Sequence, residues 1–341
     1  MTAPWPVQTP PPCRCPNCFQ VLAGPGPIEK CPRCSTAVPV GWQRGGTTCI
    51  VLAGARYTGK SIFIGVMIKQ LEQFAAQVGM DVAPATRSTR LMFEEHYARP
   101  LYARRGVLSA TRPVASDDAY QRDPLAFTLT APSGHTHHLV VRDVAGEDLE
   151  HLDDARAGAL GFFREADFVF FLFDPLQVEA IRTKLRDFIP AQKVGAKPLD
   201  ILNTVLDLTG HGTPRIGVIL SKFDAVQALR QVQGAGEWGL IMRNPGAAFF
   251  RDRGPTALTD PHDGELLHEE VRSLLLKLDA ATFVAAVERR AGGGRSGGHR
   301  FFAVSALGEA PDGEDLSKRG IAPFRCLDPL RWALAGTGIL G

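Results

Sequence analysis

Residues 47–61 read TTCIVLAGARYTGKS, and the fold of the chain is decided in this stretch. Positions 47–53 form a nearly unbroken apolar run, the pattern of a strand buried on both faces. Gly54-Ala55-Arg56-Tyr57-Thr58-Gly59-Lys60-Ser61 then matches G-x-x-x-x-G-K-[ST], and 61–78 has the pattern of a helix. Glycines let such a backbone curl so that successive amides point at phosphate oxygens, and the helix N-terminus adds partial positive charge. In this arrangement Lys60 reaches the β- and γ-phosphates, and the Ser61 hydroxyl is a ligand for Mg²⁺.

Working outward, further strands are expected at 125–130, 138–142, 168–173, 216–220 and 301–304, with helices at 178–188, 265–290 and 329–335 between and after them. In 265–290 the residues Leu267, Val271, Leu274, Leu275 and Leu278 fall on one face, and Asp263 is placed to cap it. Apolar strands alternating with helices predict an α/β fold of the P-loop NTPase type: a mostly parallel sheet with helices on both faces. That domain is expected over 46–341, with insertions near 80–124, 190–214 and 225–262. Residues 1–12 read as a disordered tail, 13–38 as a small cysteine module, and AGGGRSGGH (291–299) as a flexible loop.

Other short motifs end the expected strands in a fixed order. Asp143-Val144-Ala145-Gly146 closes HLVVRD, Ser221-Lys222-Phe223-Asp224 closes IGVILS, and Ser305-Ala306-Leu307 closes the last strand. With the phosphate loop, they resemble the motif set of the translation-factor-like and Ras-like class of P-loop GTPases, over about residues 46–340. The resemblance implies GTP and GDP as ligands with Mg²⁺. In that class the aspartate of D-x-x-G, here Asp143, holds the magnesium, and the glycine, here Gly146, offers its amide to the γ-phosphate. Asp224 would accept from guanine N1 and N2, a donor pair that adenine lacks, while the Lys222 stem covers the base and Ser305, Ala306 and Leu307 flank it. Serine at 221 departs from the usual Asn/Thr but keeps a hydroxyl that could tie the base loop to the phosphate loop.

Catalysis in this class needs a positioned water and neutralised phosphoryl charge. Glu147 stands where Ras-like members carry glutamine, and Arg56 where they carry glycine. Glu147 is expected to orient water only if a cation, such as an arginine, offsets its charge; otherwise intrinsic turnover is slow. The switch threonine is assigned to Thr111, with Thr86 and Thr89 as rivals and Arg112 as a possible internal arginine. The fusion of a cysteine module to this domain resembles the bacterial double-GTPase-type proteins, which implies a switch in signalling or in conflict and defence. The alternative is a nucleotide-dependent protein-binding module with little or no hydrolysis.

Cys15-Pro-Asn-Cys18 and Cys31-Pro-Arg-Cys34 are two C-P-x-C knuckles separated by twelve residues, the spacing of a zinc ribbon in which four thiolates close one tetrahedral Zn²⁺ site. Cys13 is a spare that could replace Cys15, although the matched knuckle favours Cys15. Cys49 sits inside the first strand as a core thiol, and Cys326 gives no signal. The His135, His137 and His138 run reads as surface histidines flanking a hairpin turn.

Of the 341 residues 45% are hydrophobic and 22% charged, enough for an ordinary soluble core, and the formal net charge of +2 argues for no polyanion partner. The module is mildly basic without aromatic residues placed to stack bases, so a protein partner, docking through the ribbon or the 225–262 insertion, is favoured over nucleic acid. No segment is long enough to span a bilayer, the N-terminus lacks the pattern of a signal peptide, and a cytoplasmic protein is expected.

Overall fold

Strand β1 (Gly46–Ala53) is buried at every residue after the first, as its apolar run requires. It lies at the centre of a seven-stranded sheet ordered β2-β3-β4-β1-β5-β6-β7. The computed structural model describes residues 11–24, 26–106, 108, 113, 123–189, 193, 195–210, 212, 214–231, 236–252, 254, 260–291, 298–311, 316–317 and 319–340. The other strands are β2 (Asp81–Pro84), β3 (Leu125–Thr130), β4 (Thr136–Asp143), β5 (Phe168–Phe173), β6 (Arg215–Leu220) and β7 (His299–Ala303). β4, β1, β5, β6 and β7 run parallel, while β3 is antiparallel to β4 and the edge strand β2 antiparallel to β3. The expected strands are therefore all present, with β2 added from inside 80–124.

The helices are α1 (Lys60–Val78), α2 (Arg87–Phe93), α3 (Gly146–Glu150), α4 (Asp154–Ala159), α5 (Glu179–Lys184), α6 (Pro198–Thr209), α7 (Phe223–Gln227), α8 (Glu237–Ile241), α9 (Pro261–Lys277), α10 (Ala281–Ala291) and α11 (Asp328–Leu334). α2 runs on into a wider π-helical segment, Glu94–Ala103, which contains Pro100. The single helix expected at 265–290 is two helices, parted where Asp279 takes a left-handed φ of 59°. Its cap is Asp260, which accepts from the amides of His262 and Asp263, and not Asp263 itself.

Alternation along the strands assigns the two faces. Phe168 packs edge-on against Trp332 of α11, and Phe171 and Phe173 point the other way onto Phe283 of α10. Over β1 and β4 this second face is covered by the N-terminal cysteine module. Trp42 stacks on His138 at 3.9 Å, Phe19 meets Phe162 edge-on, and Arg14 pairs with Asp167 at 3.2 Å. Cys49 faces the module from β1, fully buried.

The histidine run reads differently in three dimensions. His137 and His138 are buried, not superficial, because β4 is covered on both faces. His138 Nε2 donates to the Trp42 carbonyl at 2.8 Å, so its Nδ1 accepts from Thr128. His137 shares a hydrogen bond with Thr48 at 2.8 Å. Burial lowers the pKa of His137 to about 3 and that of His138 to about 4. Both are neutral in the fold, and unfolding returns them toward the ordinary value near 6.5. Their contribution to stability is complete above that value and is lost as pH falls toward the folded pKa.

Two outcomes are expected. Trp42→Ala removes a fully buried ring at the junction of module and sheet, and should lower the unfolding free energy by about 3–5 kcal/mol in urea titrations. His137→Gln should flatten the loss of stability between about pH 6.5 and pH 4 relative to wild type; parallel pH profiles would exclude His137 as its source.

Candidate functional site

The carboxyl ends of the parallel strands lie side by side, where open α/β sheets bind ligands. β1 leads into Gly54 with φ 141°, where a Cβ would meet the Leu172 carbonyl at 2.7 Å, so only glycine fits. Tyr57 adopts a left-handed φ of 65°, and Gly59, at 87°, starts α1. Strain of this kind at non-glycine residues is a mark of loops shaped for a ligand.

The side chains that the motif calls for converge here. Lys60 is buried, and its Nζ donates to the Gly54 and Ala55 carbonyls at 2.8 and 2.9 Å. Burial lowers its pKa to about 8, opposed by the charges of Asp143 and Glu150. Ser61 Oγ donates to Asp143 Oδ2 at 2.6 Å, and Tyr97 Oη donates to the same oxygen at 3.2 Å. Among the described residues Asp143 Oδ1 is buried without a hydrogen-bond partner, and burial raises the pKa of the group. A hydroxyl beside a buried carboxylate with one free oxygen is a donor set that fits Mg²⁺.

The D-x-x-G glycine lies directly on the phosphate loop: a Cβ at Gly146 would fall 2.5 Å from the Arg56 nitrogen. Glu147 Oε2 is 3.5 Å from Arg56 Nη1, so the arginine that would offset the Glu147 charge is Arg56. Glu150, three residues on, accepts from the Arg56 amide at 3.0 Å and from Ala196 at 3.4 Å. Gly195 closes over the same turn, where a Cβ would meet the Arg56 carbonyl at 2.7 Å. Thr111 and Arg112 lie outside the described residues. Their rivals serve the scaffold: Thr86 caps α2 by accepting from the Thr89 amide, and Thr89 accepts from Ala126 of β3.

On the base side, Lys222 has a left-handed φ of 48° and opens α7. Its Nζ donates to Asp174 Oδ2 at 2.7 Å, and Asp174 is fully buried. Ser305 Oγ donates to Asp224 Oδ1 at 2.6 Å and accepts from the Gly308 amide at 2.9 Å. Burial raises the Asp224 pKa, and the Ser305 bond acts against this. Ser221 Oγ donates to the Phe173 carbonyl at 3.2 Å, so its hydroxyl ties the base loop to β5 and not to the phosphate loop. Ala306 and Leu307 follow Ser305 and are half-buried. The 225–262 stretch builds one wall of this loop, because its Phe249 packs edge-on against Phe223. Tyr97, Glu150, Asp174 and Gly195 escaped the sequence reading. Only Asp174 carried a signal, as a carboxylate ending the apolar run FVFFLFD in the manner of Asp143.

The second centre is the cysteine module. Cys15, Cys18, Cys31 and Cys34 place their sulfurs within 4.8 Å of one another. Cys15 and Cys34 are 3.7 Å apart, and Cys18 and Cys31 are 3.6 Å apart. A Zn–S bond of about 2.3 Å implies tetrahedral S···S edges of about 3.8 Å, so the four sulfurs fit zinc. Both knuckles close alike: the Phe19 amide donates to the Cys15 carbonyl and Ser35 to that of Cys31, with left-handed φ of 64° and 59° at Phe19 and Ser35. Cys13 stands outside the set, its Sγ directed at the Trp42 carbonyl at 3.6 Å. Elemental analysis should therefore find one zinc per chain in wild type and in Cys13→Ser, and loss of zinc in Cys18→Ser; loss in Cys13→Ser would overturn this ligand set.

Among the described residues no helix is long and apolar enough to cross a membrane. No protein-family model matches the chain. It is 49% identical over 314 residues to a Mycolicibacterium smegmatis protein named "Putative ESX-1 scaffolding and assembly protein SaeC", covering 92% of this chain and 81% of that one. Two solved structures are similar at lower identity. One is a bacterial selenocysteine-specific elongation factor, EF-Sec, at 12% identity and a TM-score of 0.30 over 84% of this chain. The other is a Thermus thermophilus protein at 13% identity and a TM-score of 0.32, also over 84%. The chain spans 28% and 39% of those two proteins' lengths.

Proposed function

From the premise that this chain belongs to the family of the mycobacterial SaeC protein, we propose that it is a guanine-nucleotide-binding switch that regulates the assembly of a protein complex. The observation that carries the reading is the buried Asp143 carboxylate, bonded to Ser61 through one oxygen and, among the described residues, unbonded at the other, beside a Lys60 whose hydrogen bonds go to its own loop. On this reading the amides of 54–61 and the Lys60 ammonium take the phosphates, and Ser61 and Asp143 hold Mg²⁺. Bound there, the ion would neutralise phosphate charge. Asp224, already oriented by Ser305, would receive guanine N1 and N2, and the Lys222 stem, drawn toward Asp174, would lie along the base.

Binding leads and hydrolysis follows slowly in this proposal. Glu147 is engaged with Arg56, so neither is free to act on a water or a phosphoryl oxygen until the segment shifts. A γ-phosphate would compete for the space that Gly146 and Gly195 now fill against the Arg56 backbone, which gives the switch its two states. The relative's name speaks for assembly rather than defence. A protein partner would read those states at the mouth of the site or through the 225–262 stretch, where Leu240 is 73% exposed.

Competition of GDP against ADP with Mg²⁺ tests the reading. Wild type should prefer GDP, and Asp224→Ala should weaken GDP about 100-fold, the loss of two charge-assisted hydrogen bonds, while leaving ADP unchanged. Equal binding of both nucleotides, unaltered by the substitution, would sink the guanine site.

A further inference from the structure

The cysteine module and the magnesium carboxylate meet across a single residue. Asn17, inside the first knuckle, is held by both knuckles. Its amide points at Cys15 Sγ at 3.4 Å, and its Nδ2 donates to Thr36 Oγ1 at 3.0 Å. Its two oxygens then face the sheet: Arg142 Nη2 donates to the Asn17 carbonyl at 2.7 Å and also to Asn17 Oδ1. Arg142 is 7% exposed, and its guanidinium lies over the Phe162 ring at 4.4 Å. Its neighbour in β4 is Asp143. Strand alternation turns Arg142 toward the module and Asp143 toward α1, where Ser61 and Tyr97 hold it.

Charge strengthens the connection. A cation this deeply buried needs compensating partners. Four thiolates around one Zn²⁺ leave a net negative centre, and Arg142 is attached to its knuckle. A metal bound there would fix the Asn17 oxygens that accept from Arg142, and the thiolates, together with Asp123, would supply the opposite charge.

We infer that the four-cysteine metal site governs the magnesium carboxylate: through Asn17 it grips Arg142, and Arg142 is the positioning residue that fixes the end of β4 presenting Asp143. The module is then a metal-dependent clamp on the nucleotide site and not only a docking appendage. The magnesium side of this inference rests on the function proposed above; the clamp itself does not.

The test uses the full, zinc-loaded chain with Arg142→Lys, which keeps the charge but lacks the fork, and Asn17→Ala, which keeps all four cysteines. Zinc content is measured in each. Hydrogen exchange of the 139–147 amides should quicken about tenfold in both variants, the loss of one charge-assisted hydrogen bond, with the β5 amides unchanged. The Mg²⁺ concentration for half-maximal GDP binding should rise by a similar factor, about tenfold, while GDP binding without Mg²⁺ stays the same. Unchanged exchange at 139–147 in zinc-bearing Arg142→Lys overturns the clamp, and so does a uniform rise across the sheet. Local loosening with no change in Mg²⁺ dependence overturns the coupling to Asp143. If Asn17→Ala loses zinc, Arg142→Lys decides alone, since it lies outside the module. If wild type binds no GDP, the proposed function falls and the exchange measurement still decides the clamp.

Discussion

A parallel sheet has to be covered on both faces, and over β1 and β4 this chain covers one of them with a module too small to hold itself together. The other face has α1, and farther along the same sheet α10 and α11 take opposite sides. At the centre the cover is a pair of cysteine knuckles, with Trp42 stacked on His138 and Phe19 against Phe162. A fold of some twenty-five residues buries too little apolar surface to be stable alone, so it depends on the sheet beneath and has in its four cysteines a set that a metal would tie together. The reverse dependence follows: without the module, Cys49, His138 and Arg142 would lie under water on a face built to be dry.

The same geometry explains why polar groups gather where they do. β1, β4, β5, β6 and β7 run in one direction, so the polar residues at their carboxyl ends fall on one edge. Asp143, Asp174, Ser221 and Ser305 arrive there by that rule, and the phosphate loop curls beside them. They are buried there, and burial raises the carboxyl pKa of Asp143 and Asp224 and lowers the ammonium pKa of Lys60. Desolvated, incompletely paired charges of this kind gather at functional sites.

Local backbone strain marks the same places. Left-handed φ at Phe19 and Ser35 shapes the knuckles, at Tyr57 the phosphate loop, and at Lys222 the base loop. None of these residues is glycine, so each conformation costs about 1 kcal/mol or more and persists because neighbouring contacts hold it. Arg325 is a fifth case, bound to Asp263 and Asp328 next to the Phe324 segment that pairs with Ser305. The base loop is thereby braced from the last helix as well as from β7.

What could be read from the residues was whatever depends on neighbours along the chain. Apolar runs at 47–53, 125–130 and 168–173 identified strands because burial on both faces leaves only one kind of sequence. G-x-x-x-x-G-K-S, D-x-x-G, S-K-x-D and S-A-L fell at strand ends because parallel order brings those ends together. The spacing of Cys15, Cys18, Cys31 and Cys34 identified the cluster that gathers their sulfurs, since a short turn can offer two thiols at once. What depends on distant neighbours was hidden. The break at Asp279 gave no glycine or proline to see, and the burial of His138 follows from a module that folds back onto the sheet, while His137 is buried on the opposite face. The partners of Asp143, Tyr97 and Ser61, come from segments 46 and 82 residues away. Periodicity and motif spacing act over a few residues, and they sufficed for the sheet, the glycine loop after β1 and the four-cysteine cluster. That the cysteine module lies on β4 and touches the residue beside Asp143 came from packing across the sheet, a contact that no local pattern encodes.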